Sequence, residues 1–149
     1  MRLIATLSRF SNEWIPRLAS PVLLLTRLYV ARVFLVSGYL KVTNWDQTVG
    51  LFTSEYHVPL LSPPIAAALG ATTELSMPVL LALGLGSRFA AGVLFVFNIV
   101  AVFSYYETLT QTGGINDHIL WGTMLAVLTI CGPGKIAVDT LLEKRFAPR

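Results

Sequence analysis

Four long apolar runs dominate the sequence and restrict the folds that the chain can adopt. They cover Val22–Leu40, Ile65–Leu85, Phe89–Tyr106 and Ile119 to about Val138. A bilayer core about 30 Å thick needs about 20 apolar residues per helix, so each run predicts a membrane-spanning helix. The last run is the weakest, because a Gly-Pro-Gly sequence at 132–134 interrupts it.

The composition also favours a membrane protein. Charged residues make up 13% of the chain, whereas soluble domains are about 25% charged. The net charge of +3 is too small to indicate nucleic-acid binding. The single cysteine, Cys131, excludes an intramolecular disulfide, and its apolar neighbours predict a buried thiol. We therefore predict an all-α integral membrane fold, with residues 1–149 forming one antiparallel four-helix transmembrane bundle.

The placement of lysine and arginine predicts the orientation. Most basic residues lie before the first run, in the second connection or in the tail: Arg2, Arg9, Arg17, Arg88, Lys135, Lys144, Arg145 and Arg149. The first and third connections contain Lys41 and several acidic residues. By the positive-inside rule we predict a multi-pass protein with both termini cytoplasmic. In a bacterium with two membranes, it would lie in the inner membrane.

Three shorter amphipathic segments flank the spans. Residues 1–21 and the tail 135–149 combine helically spaced apolar residues with basic ones, which predicts helices lying on the cytoplasmic lipid surface. In the first outer connection, apolar residues at three- and four-residue steps predict a short helix over the outer end of the bundle. Asp46 is expected to cap this helix, and Pro59 to end it.

Polar residues at the middle of the spans define the first candidate site. Arg32, Glu74 and Asn98 fall at one depth when each helix rises about 1.5 Å per residue. A charge at the bilayer centre costs at least about 2.5–3.5 kcal/mol, so an Arg32–Glu74 pair is expected. Such a pair is either a structural clasp or a site that binds a small polar ligand and relays protons. Arg27, nearer the cytoplasmic end, is expected to extend to the lipid surface.

A second group of polar residues gathers at the outer rim, namely Tyr39, Lys41, Asp117, His118 and Trp121. The aromatic residues fit an interfacial belt, and the Asn-Asp sequence at 116–117 fits an N-cap of the fourth span. Alternatively, His118 is a proton shuttle or, with His57, a weak metal site. Copper is one metal that such ligands bind.

Several segments together resemble the DoxX family of small bacterial membrane proteins. They are "ARVFLVSGYLKVTNW" at Ala31–Trp45, "ATTELSMPVLLALGLGSRFAA" at Ala71–Ala91, "NDHILWG" at Asn116–Gly122 and "GPGKIAVD" at Gly132–Asp139. The family pattern falls on Arg32, Gly38, Lys41, Glu74 and the Gly-Pro-Gly turn. The first outer connection resembles, more loosely, a subgroup found in gene clusters that make metal-binding modified peptides.

The resemblance implies a four-helix, redox-associated membrane subunit that works with a partner protein and the quinone pool. A single cysteine cannot hold an iron–sulfur cluster, so electrons would come from the partner or from a diffusible cofactor. Two alternatives stay open: a transporter or export helper for a small molecule or metal-binding peptide, and a scaffold without chemistry. Besides the surrounding lipid, a redox or biosynthetic partner protein is expected, and a homo-oligomer is compatible with the sequence.

Small residues around Glu74 predict a cavity that opens to the outside. Arg32, Glu74 and Asn98 would form its floor. Its walls would be formed by Tyr39, Tyr105, His118 and Trp121, and residues 46–59 would cover it.

Overall fold

The computed structural model describes residues 2–56 and 58–146, with side chains described at 15, 17–56 and 58–146. All regular structure in these residues is helical. The helices are α1 (Arg2–Thr43), α2 (Trp45–Ser54), α3 (Pro63–Leu83), α4 (Ser87–Ser104), α5 (Tyr106–Thr112), α6 (Ile115–Cys131) and α7 (Val138–Phe146).

The four long helices form a bundle. Helix α1 packs along α3, α3 along α4, α4 along α6, and α6 returns to α1. The centre is filled by apolar side chains from all four helices: Val30, Phe34, Leu81, Ala90, Ala91, Leu94, Leu125 and Leu128. Many large apolar side chains lie on the outside, Phe103 at 79% exposure and Ile130 at 73% among them. A bundle that is apolar on both its inside and its outside is an integral membrane protein.

Three helical segments of the described chain are long and apolar enough to cross a membrane: Arg17–Thr43 within α1, Pro63–Leu83 and Ser87–Ser104. The region around the start of the fourth predicted span contains two helices. Helices α5 and α6 meet at 109° and count as one further span when they are taken together. Helix α6 alone has 17 residues, about 25 Å at 1.5 Å per residue, which is slightly short of a bilayer core.

Helix α6 ends seven residues before the predicted Val138, because the Gly-Pro-Gly turn stops it. Gly132 has φ +79° and Gly134 has φ +78°, values that favour glycine and cannot continue a helix. Cys131, the last residue of α6, is exposed. The prediction of a buried thiol is therefore wrong, because this end of α6 leaves the Cys131 side chain on the outside of the bundle.

The three amphipathic segments predicted beside the spans are helical in the described residues, but their boundaries differ from the predicted ones. The backbone of residues 2–21 continues into the first span as one helix, so this segment is not a separate helix. Helix α2 lies where a short outer helix was predicted. It begins at Trp45 after the N-cap residue Asn44, which places Asp46 in the first turn and not at the cap. In α7, Leu141 and Phe146 are exposed.

We call the end of the bundle with α2 and α5 the outer end, and the end with the α3–α4 turn and α7 the inner end. At the inner end Asp139 holds α7 in place: its carboxylate accepts hydrogen bonds from the backbone N–H groups of Gly86 (2.8 Å) and Ser87 (2.9 Å). Its own N–H donates to the carbonyl of Gly84 (2.8 Å). These bonds join the start of α7 to the start of α4.

Arg27 lies in the same inner region and is 1% exposed. Its Nη2 donates to the carbonyl of Ile136 over 2.7 Å. A Cβ atom at Gly84 would lie 2.5 Å from Nη1, so only glycine fits beside the guanidinium. The expectation that Arg27 extends to the lipid surface is wrong, because the 132–137 segment folds over it.

Candidate functional site

The buried carboxylate of Glu74 is paired with Lys41. Lys41 Nζ lies 2.7 Å from Glu74 Oε2, and the two side chains are 18% and 6% exposed. Lys41 Nζ also donates to Ser37 Oγ over 2.7 Å. Ser37 in turn donates to Glu74 Oε1 over 3.2 Å. Both carboxylate oxygens therefore accept a hydrogen bond, which a charge in an apolar setting requires.

Gly38 allows this arrangement, because it lets α1 and α3 come close together. A Cβ atom at Gly38 would lie 2.8 Å from Glu74 Cβ and 3.0 Å from the Glu74 backbone carbon. Ser37 and Lys41 are four residues apart on α1 and thus share one helix face. The two helices therefore lie close together here, and Ser37 and Lys41 on the facing side of α1 both contact the Glu74 carboxylate.

The expected pairing of Arg32 with Glu74 is wrong. Arg32 is exposed, whereas Glu74 is 4% exposed. Arg32 precedes Lys41 by nine residues, which at about 100° per residue places the two on opposite sides of α1. The depth comparison placed Glu74 beside Arg32, whereas Glu74 lies beside Gly38, six residues or about 9 Å further along α1. Ser37 was missed, although its four-residue spacing to Lys41 was visible in the sequence.

A cavity of about 520 Å³ lies beside the ion pair in the outer half of the bundle. Its volume is in the range of small-molecule sites, about 300–1,000 Å³. Most of its wall is apolar, and the polar side chains in the wall are Ser37, Lys41, Tyr56, Thr73, Glu74, Ser104, Tyr105 and His118. An apolar chamber with a few polar groups is the usual form of a ligand site.

Only some of the predicted cavity residues line it. Glu74, Tyr105, His118 and Trp121 do. Arg32 and Asn98 are not among the lining residues. Tyr39 does not line the cavity either and is 63% exposed, so three of the predicted floor and wall positions are wrong.

The outer connection covers this cavity. Phe52 of α2 and Tyr56 line it, and their rings pack with centroids 4.7 Å apart. The Tyr56 ring also packs on Tyr105 at 4.4 Å. Burial, with smaller effects from Tyr105, Glu74 and Glu55, raises the pKa of Tyr56 to about 12. Its phenol therefore stays protonated at physiological pH and keeps an O–H donor at the cavity.

Asn98 and His118 form a second polar pair. Asn98 is 3% exposed. Its Nδ2 donates to the backbone carbonyl of His118 over 3.0 Å, and its Oδ1 lies 2.8 Å from His118 Nδ1. The His118 ring meets Trp121 edge to face, with centroids 4.9 Å apart. Trp121 Nε1 is buried and has no hydrogen-bond partner among the described residues.

The remaining rim residues stay apart from this site. Helix α6 begins at Ile115 after the N-cap residue Gly114, so Asn116 and Asp117 lie in its first turn and do not cap it. Asp117 is exposed. His57 lies outside the described residues. Within the described part of the chain, no three His, Cys, Asp or Glu side chains come together as a metal site.

Fold and site together define an all-α integral membrane protein whose outer half contains an apolar cavity beside a partly buried lysine–glutamate pair. The DoxX family model matches residues 22–107. The chain is also similar to the inner membrane protein YphA of Escherichia coli (strain K12). The two are 31% identical over 131 residues, which cover 81% of this chain and 91% of YphA. No solved structure matches the chain. The chain belongs to the DoxX family and is a multi-pass inner-membrane protein.

Proposed function

We propose that the outer cavity binds a small, mostly apolar ligand with a polar head group, such as a quinone, within a redox-associated membrane system. One observation carries the proposal: Lys41 and Glu74 form a buried ion pair at the wall of an apolar chamber of about 520 Å³. A lysine ammonium donates to a ligand carbonyl, and a carboxylate accepts from a ligand hydroxyl. The pair therefore offers a hydrogen-bond donor to the oxidised form of a quinone-like head group and an acceptor to its reduced form.

A purely structural role explains the pair less well. Replacing a buried ion pair with apolar residues of similar volume is often neutral or stabilising, so such pairs are weak devices for stability alone. Here the pair also lines a cavity whose volume fits a small molecule. Both features are expected of a binding site. A partner protein would exchange electrons with the bound ligand.

The direct test is equilibrium binding of a short-tailed ubiquinone and a short-tailed menaquinone to the protein in lipid nanodiscs. We expect wild-type protein to bind at least one of them, and Lys41→Gln to weaken that binding about tenfold or more, equivalent to about 1.4 kcal/mol. The matched control is Arg32→Gln. It removes a positive charge from the same helix at an exposed position outside the cavity wall, and it should bind like wild type.

A cavity-filling variant tests ligand binding without changing any charge. Ala101 lines the cavity and is half-buried. In Ala101→Phe the larger side chain should occupy the space of the ligand and weaken quinone binding, while the ion pair stays intact. Size-exclusion elution and helical circular dichroism verify that each variant is folded. Failure of wild-type protein to bind either quinone contradicts the proposal. Uptake of a small polar solute by vesicles containing the protein, without quinone binding, would instead support a carrier.

A further inference from the structure

The hydrogen bonds of Asn98 determine which nitrogen of His118 carries the proton. Asn98 Nδ2 faces a backbone carbonyl, which only accepts, so this atom must be the amide nitrogen. The opposite amide atom is then the oxygen, and it lies 2.8 Å from His118 Nδ1. Because an amide oxygen only accepts, Nδ1 must be the donor and carry a hydrogen.

This tautomer makes the other ring nitrogen, Nε2, a hydrogen-bond acceptor. A neutral imidazole with a hydrogen on Nδ1 has a lone pair on Nε2. Nε2 has no hydrogen-bond partner among the described residues, and the His118 side chain lines the outer cavity. The cavity thus has a hydrogen-bond acceptor that no described residue uses.

The local packing supports this arrangement. Gly122 lies one turn after His118 on α6, and a Cβ atom there would be 3.1 Å from Asn98 Nδ2. The absence of a side chain leaves room for the amide. Trp121 packs against the ring edge to face and restricts its rotation. One hydrogen bond and one ring contact therefore fix the orientation of the imidazole, and the bond to the His118 carbonyl fixes the orientation of the Asn98 amide.

We propose that Asn98 is a positioning residue that holds His118 in the Nδ1–H tautomer, so that Nε2 selects ligands carrying a hydroxyl donor. This inference rests on the proposed function for its ligand, and narrows it to hydroxyl-bearing aromatic molecules, such as the reduced form of a quinone. Lys41 and Glu74 engage one polar group of the ligand, and His118 accepts from another.

The tautomer is measured without any ligand. The chain has two histidines, so His57→Gln protein labelled with ¹⁵N-histidine gives signals from His118 alone. At alkaline pH, where the ring is neutral, we expect a protonated, pyrrole-type Nδ1 and an unprotonated, pyridine-type Nε2. Asn98→Leu should shift the ring toward the Nε2–H form, while the exposed α6 variant Thr123→Val should not. A wild-type ring protonated at Nε2 overturns the inference, as does a tautomer unaffected by Asn98→Leu in folded protein.

Ligand selection is tested with two probes of nearly equal shape, an alkylphenol and the alkylfluorobenzene of the same chain length. We expect wild-type protein to bind the phenol about tenfold more tightly, the effect of about one hydrogen bond. Asn98→Leu should reduce this preference toward unity. Equal affinity for the two probes, or binding of neither, overturns the selection. Since neither probe is a quinone, this result is independent of the quinone titration.

Discussion

At the scale of single residues, the Lys41–Glu74 pair shows what sequence reasoning can and cannot reach. A lone glutamate in an apolar helix predicts a cationic partner, because an unpaired charge there is too costly. The partner itself depends on the direction of the side chains around α1. Arg32 lies on the opposite side of α1 from Lys41 and about 9 Å from the level of Gly38, where Glu74 packs. The long side chain of Lys41 reaches Glu74 from the last turn of α1.

The stability losses from removing the two members of this pair should not be additive. We expect Glu74→Gln and Lys41→Gln each to lower the free energy of unfolding by about 3 kcal/mol, because each leaves a buried group without its partner. The double variant should lose about 1–3 kcal/mol less than the sum of the single losses. Unfolding in mixed detergent micelles, followed by circular dichroism, measures all four proteins.

The control for this cycle is again Arg32→Gln. Replacing an exposed residue that lies outside the core should change stability by about 0.5 kcal/mol or less. A coupling energy near zero between positions 41 and 74 would mean that the hydrogen bonds seen here contribute nothing to the folded protein in its membrane.

At the scale of helices, the length of the apolar runs predicted three of the spans. The predicted fourth span was too long, because the Gly-Pro-Gly turn ends α6 at Cys131. Helices α3 and α4 end within two residues of the predicted boundaries. The 109° bend between α5 and α6 was not predicted, because residues 106–118 are too polar and too short to show a clear helical period. The cover over the cavity was predicted as a helix, but its cap was assigned to the wrong residue, since Asn and Asp at 44 and 46 are both good cap formers.

Two glycines on neighbouring helices provide a matched test of the α1–α3 contact. Gly38→Ala should destabilise the bundle by about 1–3 kcal/mol, because the new methyl group would lie 2.8 Å from Glu74 Cβ and force α1 away from α3. Gly50 in α2 has open space around its Cα. Gly50→Ala should therefore be neutral or stabilise the protein by about 0.5–1 kcal/mol, through helix preference alone.

Thermal unfolding of the two variants in the same detergent measures this difference. If Gly38→Ala is as stable as Gly50→Ala, the two helices do not approach as closely as the structure shows, and the setting of Glu74 must be revised.

At the scale of the whole molecule, the bundle and its family could be predicted from the sequence, whereas the cavity wall could be predicted only in part. Positions such as Trp121 and His118 were found because polar and aromatic residues are scarce in this chain. Asn98 was placed at the level of Glu74, but its amide is engaged by His118. Which neighbour hydrogen-bonds to a polar side chain depends on distance differences of a few tenths of an ångström. The spacing of residues along the sequence does not give such distances.

The path of the chain through the membrane also follows from contacts at the inner end. Asp139 binds Gly86 and Ser87, so the start of α7 lies beside the α3–α4 turn. If α4 crosses the bilayer from this turn to the outer end, α6 must bring the chain back. The bent α5–α6 pair is thus expected to be a true fourth crossing despite its short helix, and the basic tail then shares a side with Arg88.

Single cysteines in a Cys131→Ala background test this path. We expect cysteines replacing the exposed residues Ser54 and Thr110 to react with a membrane-impermeant maleimide in intact spheroplasts, because both lie at the outer end. A cysteine replacing Glu143 of α7 should react only after permeabilisation. Labelling of positions 110 and 143 from the same side would show that α6 turns back within the membrane. Labelling of 54 and 110 from opposite sides would instead mean that α3 and α4 do not both cross, which the length and apolar character of the two helices argue against.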